Sequence, residues 1–219
     1  MLNLIKFNSK SYQEICWKNI FNSAGSAVFQ DYQAFGLANS SGLVMMTDNA
    51  FSTDCIELCF ENKIGRVVSN HLKPIPIKLF NDSGVLFYQL INKTFSTSQS
   101  HSYILFLNKI ITSVYDACQI IFTYTYEHLA QRLYNDLSIT QIESVQLQFV
   151  DTHILFERIH CLLSAELSIE QSIFVISLLI QALNYLAKLA GARAILKNNA
   201  VELIFYLKIF QKFINKNEI

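Results

Sequence analysis

Glycine and proline are scarce in this sequence of 219 residues, which contains 6 and 2 of them. An average chain has about 7% glycine and about 5% proline, so both are depleted. A glycine-rich phosphate loop has little material to be built from, and neither GxGxxG nor GxxxxGK[ST] occurs. The GxSxG elbow of serine hydrolases is also absent. The nearest glycine–serine sequence, at 24–27, is interpreted as a simple turn.

Charge is also low, since charged residues make up 16% of the chain against about 25% in typical soluble domains. The 17 basic residues balance 17 acidic ones, so no surplus is available to neutralise a phosphate backbone. We therefore expect no nucleic-acid partner. The 17 Phe and 10 Tyr residues provide apolar area for an extensive core or a large interface.

Cysteine usage favours a reducing compartment, because the number of cysteines is odd and their spacing is scattered. We therefore expect a cytoplasmic protein. The start of the chain lacks the apolar run of a signal peptide. The most apolar stretch, 173–187, falls short of the roughly 20 residues that a membrane span needs, so we predict a buried central helix there. The five cysteines are Cys16, Cys55, Cys59, Cys118 and Cys161.

The first 95 residues predict a short helix followed by a small antiparallel β-module. A capping-box sequence at 11–14 predicts a helix over 12–21. Short apolar runs then alternate with turn signals, the clearest of which predicts a hairpin at 81–84. The runs lie at 42–47, 55–60, 66–69, 75–80 and 85–91, and 94–102 is interpreted as a linker.

The rest of the chain predicts an up-down bundle of four helices. Its first helix spans about 102–133, and capping sequences beginning at Ser138, Ser168 and Asn199 open the other three. Apolar residues recur at alternating intervals of three and four, which is typical of helix-packing seams. We therefore predict an α+β protein with domains at 1–95 and 96–219. The first two seams comprise Ile104, Leu107, Ile111, Val114, Cys118, Ile121 and Thr125, and Ile142, Val145, Phe149, Thr152, Phe156, Ile159 and Leu163.

Two residue groups are candidates for a chemical site. His153, Glu157 and His160 share a helix, but the core seam of that helix lies elsewhere and the seven-residue spacing is unusual for metal ligands. Cys55 and Cys59 stand about 13 Å apart on a predicted strand, too far for one metal or disulfide. We interpret the first group as solvated or interfacial and the second as strand thiols, and predict no metal site.

Two segments of the helical half carry a recognisable pattern. The first reads YEHLAQR at 126–132, then Ile139 and ESVQLQFVD at 143–151. The second reads LAGARA at 189–194, then AVEL at 200–203. In spacing they resemble Y-A-x-x-R-x-x-F-G-x-x-I-x-x-x-Q-x-V-Q-x-x-L-A-D and G-G-x-G…P-V-E-R of acyl-CoA dehydrogenases. The resemblance covers roughly 104–212 and implies that family's C-terminal bundle, preceded by a remnant of its β-domain.

The resemblance implies FAD as the cofactor, with Arg132 at the place of an arginine that holds the flavin pyrophosphate across a subunit interface. Gly191 is the glycine retained from the tight G-G-x-G turn. Asn135 and Asp136 replace the Phe-Gly pair, and Glu143 replaces a glutamine that faces the cofactor. These departures weaken cofactor binding.

The catalytic positions depart further. Where many family members carry a glutamate base beyond P-V-E-R, this chain has no carboxylate from 203 to 217. The W-[IS]-T-N signature that packs on the flavin ring is missing, because the single tryptophan, Trp17, precedes the β-region. We therefore assign no catalytic residue and expect no bound cofactor, with FAD as the alternative.

Three functions follow as hypotheses. The first is a degenerate acyl-CoA-dehydrogenase-like protein that serves as a structural or partner-binding subunit, forming a homo-oligomer or hetero-oligomer through the bundle. The second is a flavoenzyme subunit that completes its site with another chain. The third is an unrelated helical adaptor or chaperone, which an all-helical N-terminal half would favour.

Overall fold

The computed structural model describes residues 16–29, 34–47, 54–60, 63–76, 84–91, 97–99, 101–195 and 199–215. A first helix precedes a mixed sheet, and four further helices follow it, with a two-stranded hairpin between the second and third helices. The helices are α1 (Trp17–Val28), α2 (Ser102–Ala130), α3 (Glu143–Leu163), α4 (Ile169–Ala190) and α5 (Ala200–Ile214). The strands are β1 (Phe35–Ala38), β2 (Leu43–Thr47), β3 (Cys55–Phe60), β4 (Lys63–Val68), β5 (Leu72–Ile75), β6 (Val85–Leu90), β7 (Thr97–Gln99), β8 (Leu133–Tyr134) and β9 (Leu137–Ser138).

The sheet has the strand order β5-β6-β2-β1-β3-β4-β7. Its pairs are antiparallel except β1 with β3, which run parallel and register Gly36 with Leu58. The sequence did not predict β1, and β7 lies inside the segment interpreted as a linker, where it pairs with β4. The domain boundary near residue 95 stays a prediction. Part of the predicted strand 75–80 and of the hairpin turn 81–84 lies outside the described residues, although β5 and β6 pair as antiparallel neighbours.

Helix α1 begins later and extends further than the sequence predicts, and its proposed capping box at 11–14 lies outside the described residues. The Ala-Gly-Ser-Ala sequence at 24–27 is part of the helix, so the prediction of a turn there is wrong. Only glycine fits at position 25, because a Cβ atom there would stand 1.8 Å from the Phe35 ring. The missing side chain lets α1 lie against the sheet.

The predicted caps open the later helices. The Ser168 hydroxyl accepts a hydrogen bond from the Gln171 amide, and the Gln171 side chain reaches back to the Ser168 amide, which completes a capping box. Ser138 forms the same arrangement on a short 3-10 turn, Ile139–Gln141, directly before α3. The Asn199 side chain accepts from the Ala200 amide at the start of α5. Local capping chemistry therefore places three of the four bundle helices.

The seams predicted for α2 and α3 lie in the bundle core, with most of their residues fully buried. Helix α4 contacts α2, α3 and α5, but its burial is incomplete, because Phe174 is 43% exposed. Two helical stretches, Ser102–Ala130 and Ile169–Ile195, are long and apolar enough to cross a membrane by length and composition alone. Here both are bundle helices with core faces.

An aromatic cluster joins the sheet to the helices. The Phe106 ring of α2 lies edge-on to Phe21, Phe29 and Phe35, with ring centroids 5.0–5.8 Å apart. Asn39 adds a polar tie, since its side chain donates to the Phe213 carbonyl at the end of α5 and accepts from the Leu43 amide. The sheet and the bundle thus share one core.

Candidate functional site

A basic cluster forms where the end of α2 meets the turn after α4. Arg193 donates a hydrogen bond to the Tyr124 hydroxyl at 3.3 Å. Partial desolvation, and then the positive charges of Arg193 and Arg132, lower the pKa of His128. The two guanidinium groups therefore lie within electrostatic range of one imidazole. In the part of the chain that the structure describes, neither arginine forms an ion pair with a carboxylate.

Gly191, the other residue predicted to bind a cofactor, lies in the same turn, two residues before Arg193. It ends α4 with φ 59° and ψ −134°, a conformation that side-chain-bearing residues rarely adopt. A Cβ atom here would meet nothing within 4 Å. The glycine is therefore required by the backbone geometry of the turn, and the open space above it leaves its backbone accessible.

The two residues that replace the Phe-Gly pair turn the chain between β8 and β9. Asn135 and Asp136 both have positive φ, 49° and 63°, as the central residues of a type I′ hairpin do. Glu143 is exposed in the first turn of α3, where its charge complements the positive end of the helix dipole. Both departures therefore have a local structural role.

Helix α5 holds the stretch in which the resemblance would place a catalytic base. Its side chains there are used for packing: Phe210 lies edge-on to Trp17, and Phe213 lies edge-on to Phe87. Lys208 and Lys212 are exposed. This part of the helix thus presents apolar rings inward and ammonium groups outward.

The histidine group on α3 is exposed, as expected of a solvated or interfacial face. His153 and Glu157 approach to 3.7 Å, while the His160 ring stacks on Tyr115 with centroids 6.2 Å apart. Among the described residues, no cluster of three or more His, Cys, Asp or Glu side chains has the arrangement of a metal site. Cys55 is exposed and Cys59 is buried, so the two strand thiols do not share one environment.

Exposed apolar side chains are concentrated between residues 133 and 154. Three belong to the β8–β9 hairpin and three to α3, on the side of the helix opposite the core seam. Each exposes more than half of its surface, which is uncommon for large apolar residues in such number. They are Leu133 (70%), Tyr134 (63%), Leu137 (56%), Leu147 (56%), Val150 (52%) and Ile154 (59%).

No model of a known protein family matches this sequence, and no curated protein is similar to it in sequence. Solved structures do match the fold. An acyl-CoA dehydrogenase from Slackia heliotrinireducens superposes with a TM-score of 0.60, covering 96% of this chain and 70% of its own, at 10% identity. The chain has an acyl-CoA dehydrogenase-like fold.

Two further structures agree. Glutaryl-CoA dehydrogenase from Mycobacterium smegmatis, solved with FADH2, gives a TM-score of 0.56 at 11% identity and covers 84% of this chain and 58% of its own. Butyryl-CoA dehydrogenase from Megasphaera elsdenii gives 0.52 at 10% identity and covers 90% of this chain and 62% of its own. The chain thus spans about three fifths of the length of these two dehydrogenases. At such identity the likeness establishes the fold and leaves the activity open.

The basic cluster of this acyl-CoA dehydrogenase-like fold fits the phosphate end of FAD. Two arginines, a histidine and a tyrosyl hydroxyl form a cationic, hydrogen-bonding group suited to a diphosphate. The flavin ring finds no comparable support from the single tryptophan, because Trp17 is 1% exposed and already stacks on Tyr206. Among the described residues, the basic cluster therefore fits the phosphate end of FAD, and no tryptophan is placed to pack on its ring.

The resemblance pointed to Arg132 and Gly191, whose role in cofactor binding stays a prediction. It did not point to Arg193, His128 and Tyr124, which the fold brings to the same place. In the sequence alone, an isolated arginine or histidine does not indicate a binding site. The cluster becomes visible only when the end of α2 is known to meet the turn after α4. The exposed stripe on α3 had a visible signal, because Leu147, Val150 and Ile154 repeat at three and four, offset by two from the inner seam. Two such stripes on one helix indicate packing on both sides.

Proposed function

We propose that this chain is a non-catalytic, partner-binding subunit built on an acyl-CoA dehydrogenase-like fold. The carrying observation is the run of six highly exposed apolar side chains between 133 and 154. Large exposed apolar patches on a protein surface mark sites that bind other proteins or ligands. The balanced charge and low charged content of the chain agree with a protein that associates with others.

The chemistry of α5 supports the same proposal. A base that abstracts a proton must reach the substrate with a carboxylate or similar group. From Leu203 to Asn215 the helix and its end carry none, and the inward positions are filled by Phe210 and Phe213. Converting this surface into a catalytic wall would require opening a packed aromatic core. The function is therefore better sought on the outside of the bundle.

Flavin uptake provides the test. The purified chain is incubated with excess FAD, desalted, and its visible absorbance is compared with its protein content, and oxidation of straight-chain acyl-CoA thioesters is followed with an artificial electron acceptor. We expect a colourless protein with no turnover. Stoichiometric flavin together with turnover that scales with the protein would overturn the proposal.

The basic cluster favours a second candidate, a flavin-dependent subunit that completes its site with another chain. Arg132 and Arg193 would then hold the phosphates while the partner supplies the ring contacts and the base. Substituting both arginines by alanine distinguishes the candidates. Loss of FAD binding to a reconstituted complex, with partner binding retained, supports this second function, whereas unchanged FAD binding removes it.

An all-helical N-terminal half would have favoured the third hypothesis, an unrelated helical adaptor or chaperone. The seven-stranded sheet and the match to solved dehydrogenase structures do not support it. The proposed partner-binding function also includes association with another protein, or with a second copy of the chain, through the helical bundle in the cytoplasm. Intact-mass determination of the complex purified from the native host would show a stoichiometric partner, and a chain recovered only as a free monomer would count against the proposal.

A further inference from the structure

The outer face of α3, defined by Leu147, Val150 and Ile154, has the geometry of a helix-packing seam. At 3.6 residues per turn these three side chains fall within about 60° of one another around the helix axis. They point away from Phe149 and Phe156, which pack into the bundle. Intervals of three and four residues are those by which one helix packs along another. A helix is therefore the element that matches this face.

Acidic groups flank the stripe. Asp151 lies about 60° to one side of Ile154 and Glu157 about 60° to the other. Glu143 continues the stripe at the N-terminal end, and all three carboxylates are exposed. The only exposed guanidinium on α3 belongs to Arg158, and it lies over the Phe174 ring at 5.2 Å. Three carboxylates against one guanidinium leave a formal charge of −2 on this face, although the whole chain is neutral.

This charge decides between two occupants. A second copy of the chain, related by a two-fold axis, would bring the same acidic groups of both copies together. Like charges facing each other across an interface oppose association. A helix from another protein with lysine or arginine beside its own apolar stripe would instead place opposite charges on both flanks.

We propose that the outer face of α3 binds an amphipathic helix of a partner protein whose apolar stripe is flanked by lysine and arginine. This inference rests on the proposed partner-binding function and names the partner's chemistry. The apolar stripe supplies contact area, and the carboxylates set the orientation and the preference for a basic helix. Because the flanking charges remain partly solvated, the binding weakens with salt.

A pair of designed peptides tests the proposal on the full-length chain. Both are labelled helices about three heptads long with Leu at the a and d positions. One carries Lys at the flanking e and g positions and the other carries Glu there. Fluorescence anisotropy should show that the Lys peptide binds at least about tenfold more tightly than the Glu peptide. The difference should shrink as salt is raised.

Two variants locate the site. Ile154→Asp should weaken binding of the Lys peptide by at least about tenfold. The matched control is Ile91→Asp, because Ile91 is 65% exposed against 59% for Ile154 and lies at the end of β6, outside α3. It should leave binding unchanged. The double variant Asp151→Lys/Glu157→Lys should reverse the preference in favour of the Glu peptide.

Three results would overturn the inference: equal binding of both peptides, equal loss from the two isoleucine variants, or a dimer of the wild-type chain that Ile154→Asp dissociates. The proposed function fails separately, through flavin uptake and acyl-CoA turnover. If the chain is colourless and inactive but does not bind the Lys peptide, only the inference about the partner's basic helix is wrong. If the chain binds the Lys peptide and also oxidises acyl-CoA, only the proposal of a non-catalytic function is wrong.

Discussion

The junction between sheet and bundle and the outer face of α3 are both rich in large apolar residues, yet they lie in opposite environments. At the junction, Phe21, Phe35 and Phe106 are almost fully buried and contact one another. On the outer face, Val150 and Ile154 expose more than half of their surface. The high apolar content of the chain is therefore divided between holding the fold together and presenting a surface.

The division cannot be inferred from the residue types, because isoleucine and valine occur in both places. It follows from what lies opposite. Across the junction, α1 and the sheet close over α2, and Gly25 allows the close approach. Opposite the outer face of α3, the described part of the chain places no element. If this distinction is correct, equal changes in the two regions should have very different effects.

The largest expected difference concerns two thiols on adjacent bundle helices. Cys118 in α2 is fully buried, and Cys161 in α3 is exposed. Burial raises the pKa of Cys118, and it raises the pKa of Cys59 to about 12, so neither forms a thiolate readily at pH 8. Cys161 should react with a disulfide reagent at once, whereas Cys118 should react only when the core opens. The rates should differ by a factor of about 10³ or more.

Exposed Cys55 also contributes to the fast phase, and buried Cys59 also contributes to the slow phase. The variant Cys161→Ser should therefore remove one thiol equivalent from the fast phase, and Cys118→Ser should remove one from the slow phase. A loss from the slow phase in Cys161→Ser, or from the fast phase in Cys118→Ser, would refute the arrangement.

The raised pKa of the Cys59 thiol also predicts a pH dependence of stability. A buried thiol that holds its proton more tightly in the folded state contributes its full stabilisation below its unfolded pKa. For Cys59 this contribution should be lost as the pH rises from 9.0 toward about 12. Urea unfolding across that range measures it.

The second prediction concerns the aromatic cluster. Phe106→Ala removes a ring that contacts three others, and the cavity left between sheet and helices should lower the free energy of unfolding by about 3–5 kcal/mol. Phe174→Ala is the matched change on an exposed ring of α4 and should cost less than about 1 kcal/mol. Urea denaturation of both variants gives the comparison. Similar losses from the two changes would show that the junction is not the buried region.

The third prediction concerns the polar tie at the same junction. Asn39→Ala deletes hydrogen bonds to the half-buried Leu43 amide and the buried Phe213 carbonyl, at a cost of about 1–3 kcal/mol. The control is Asn184→Ala, since Asn184 is exposed and bonds only to a carbonyl one turn earlier in its own helix. Its loss should stay within about 0.5 kcal/mol. If Asn39→Ala and Asn184→Ala have the same unfolding midpoint, the hydrogen bonds of Asn39 do not stabilise the junction.

Much of the bundle was readable from the sequence because its signals are local. The capping boxes at Ser138 and Ser168 and the three-four spacing of the seams lie within a few residues of the elements they define. Strand β1 was missed although it pairs with its neighbour in sequence, β2. Strand β7 was missed because its partner in the sheet, β4, lies far away in the sequence. The turn predicted at 24–27 was wrong because Gly25 serves contact with Phe35 and does not bend the chain.

The candidate site was less accessible to sequence reasoning. The spacing of the resemblance predicts Arg132 and Gly191, and their role stays a prediction. The cluster also contains Arg193 and His128, which meet only when α2 and the turn after α4 come together. The exposed stripe on α3 was readable as periodicity. The exposure of the stripe could not be predicted from the sequence, because it depends on whether another element packs against that side of the helix.

The smallest expected effect is the sharpest test of the comparison, because it uses one helix and one residue type. Ile154 and Ile159 both lie in α3, but Ile154 is 59% exposed and Ile159 is 0% exposed. Ile159→Ala should lower the free energy of unfolding by about 2–5 kcal/mol. Ile154→Ala should change it by no more than about 0.5 kcal/mol, because little packing is lost and alanine favours the helix. A destabilisation by Ile154→Ala comparable to that by Ile159→Ala would mean that the outer face of α3 is covered in the free protein, and the assignment of that face to a partner would then fail.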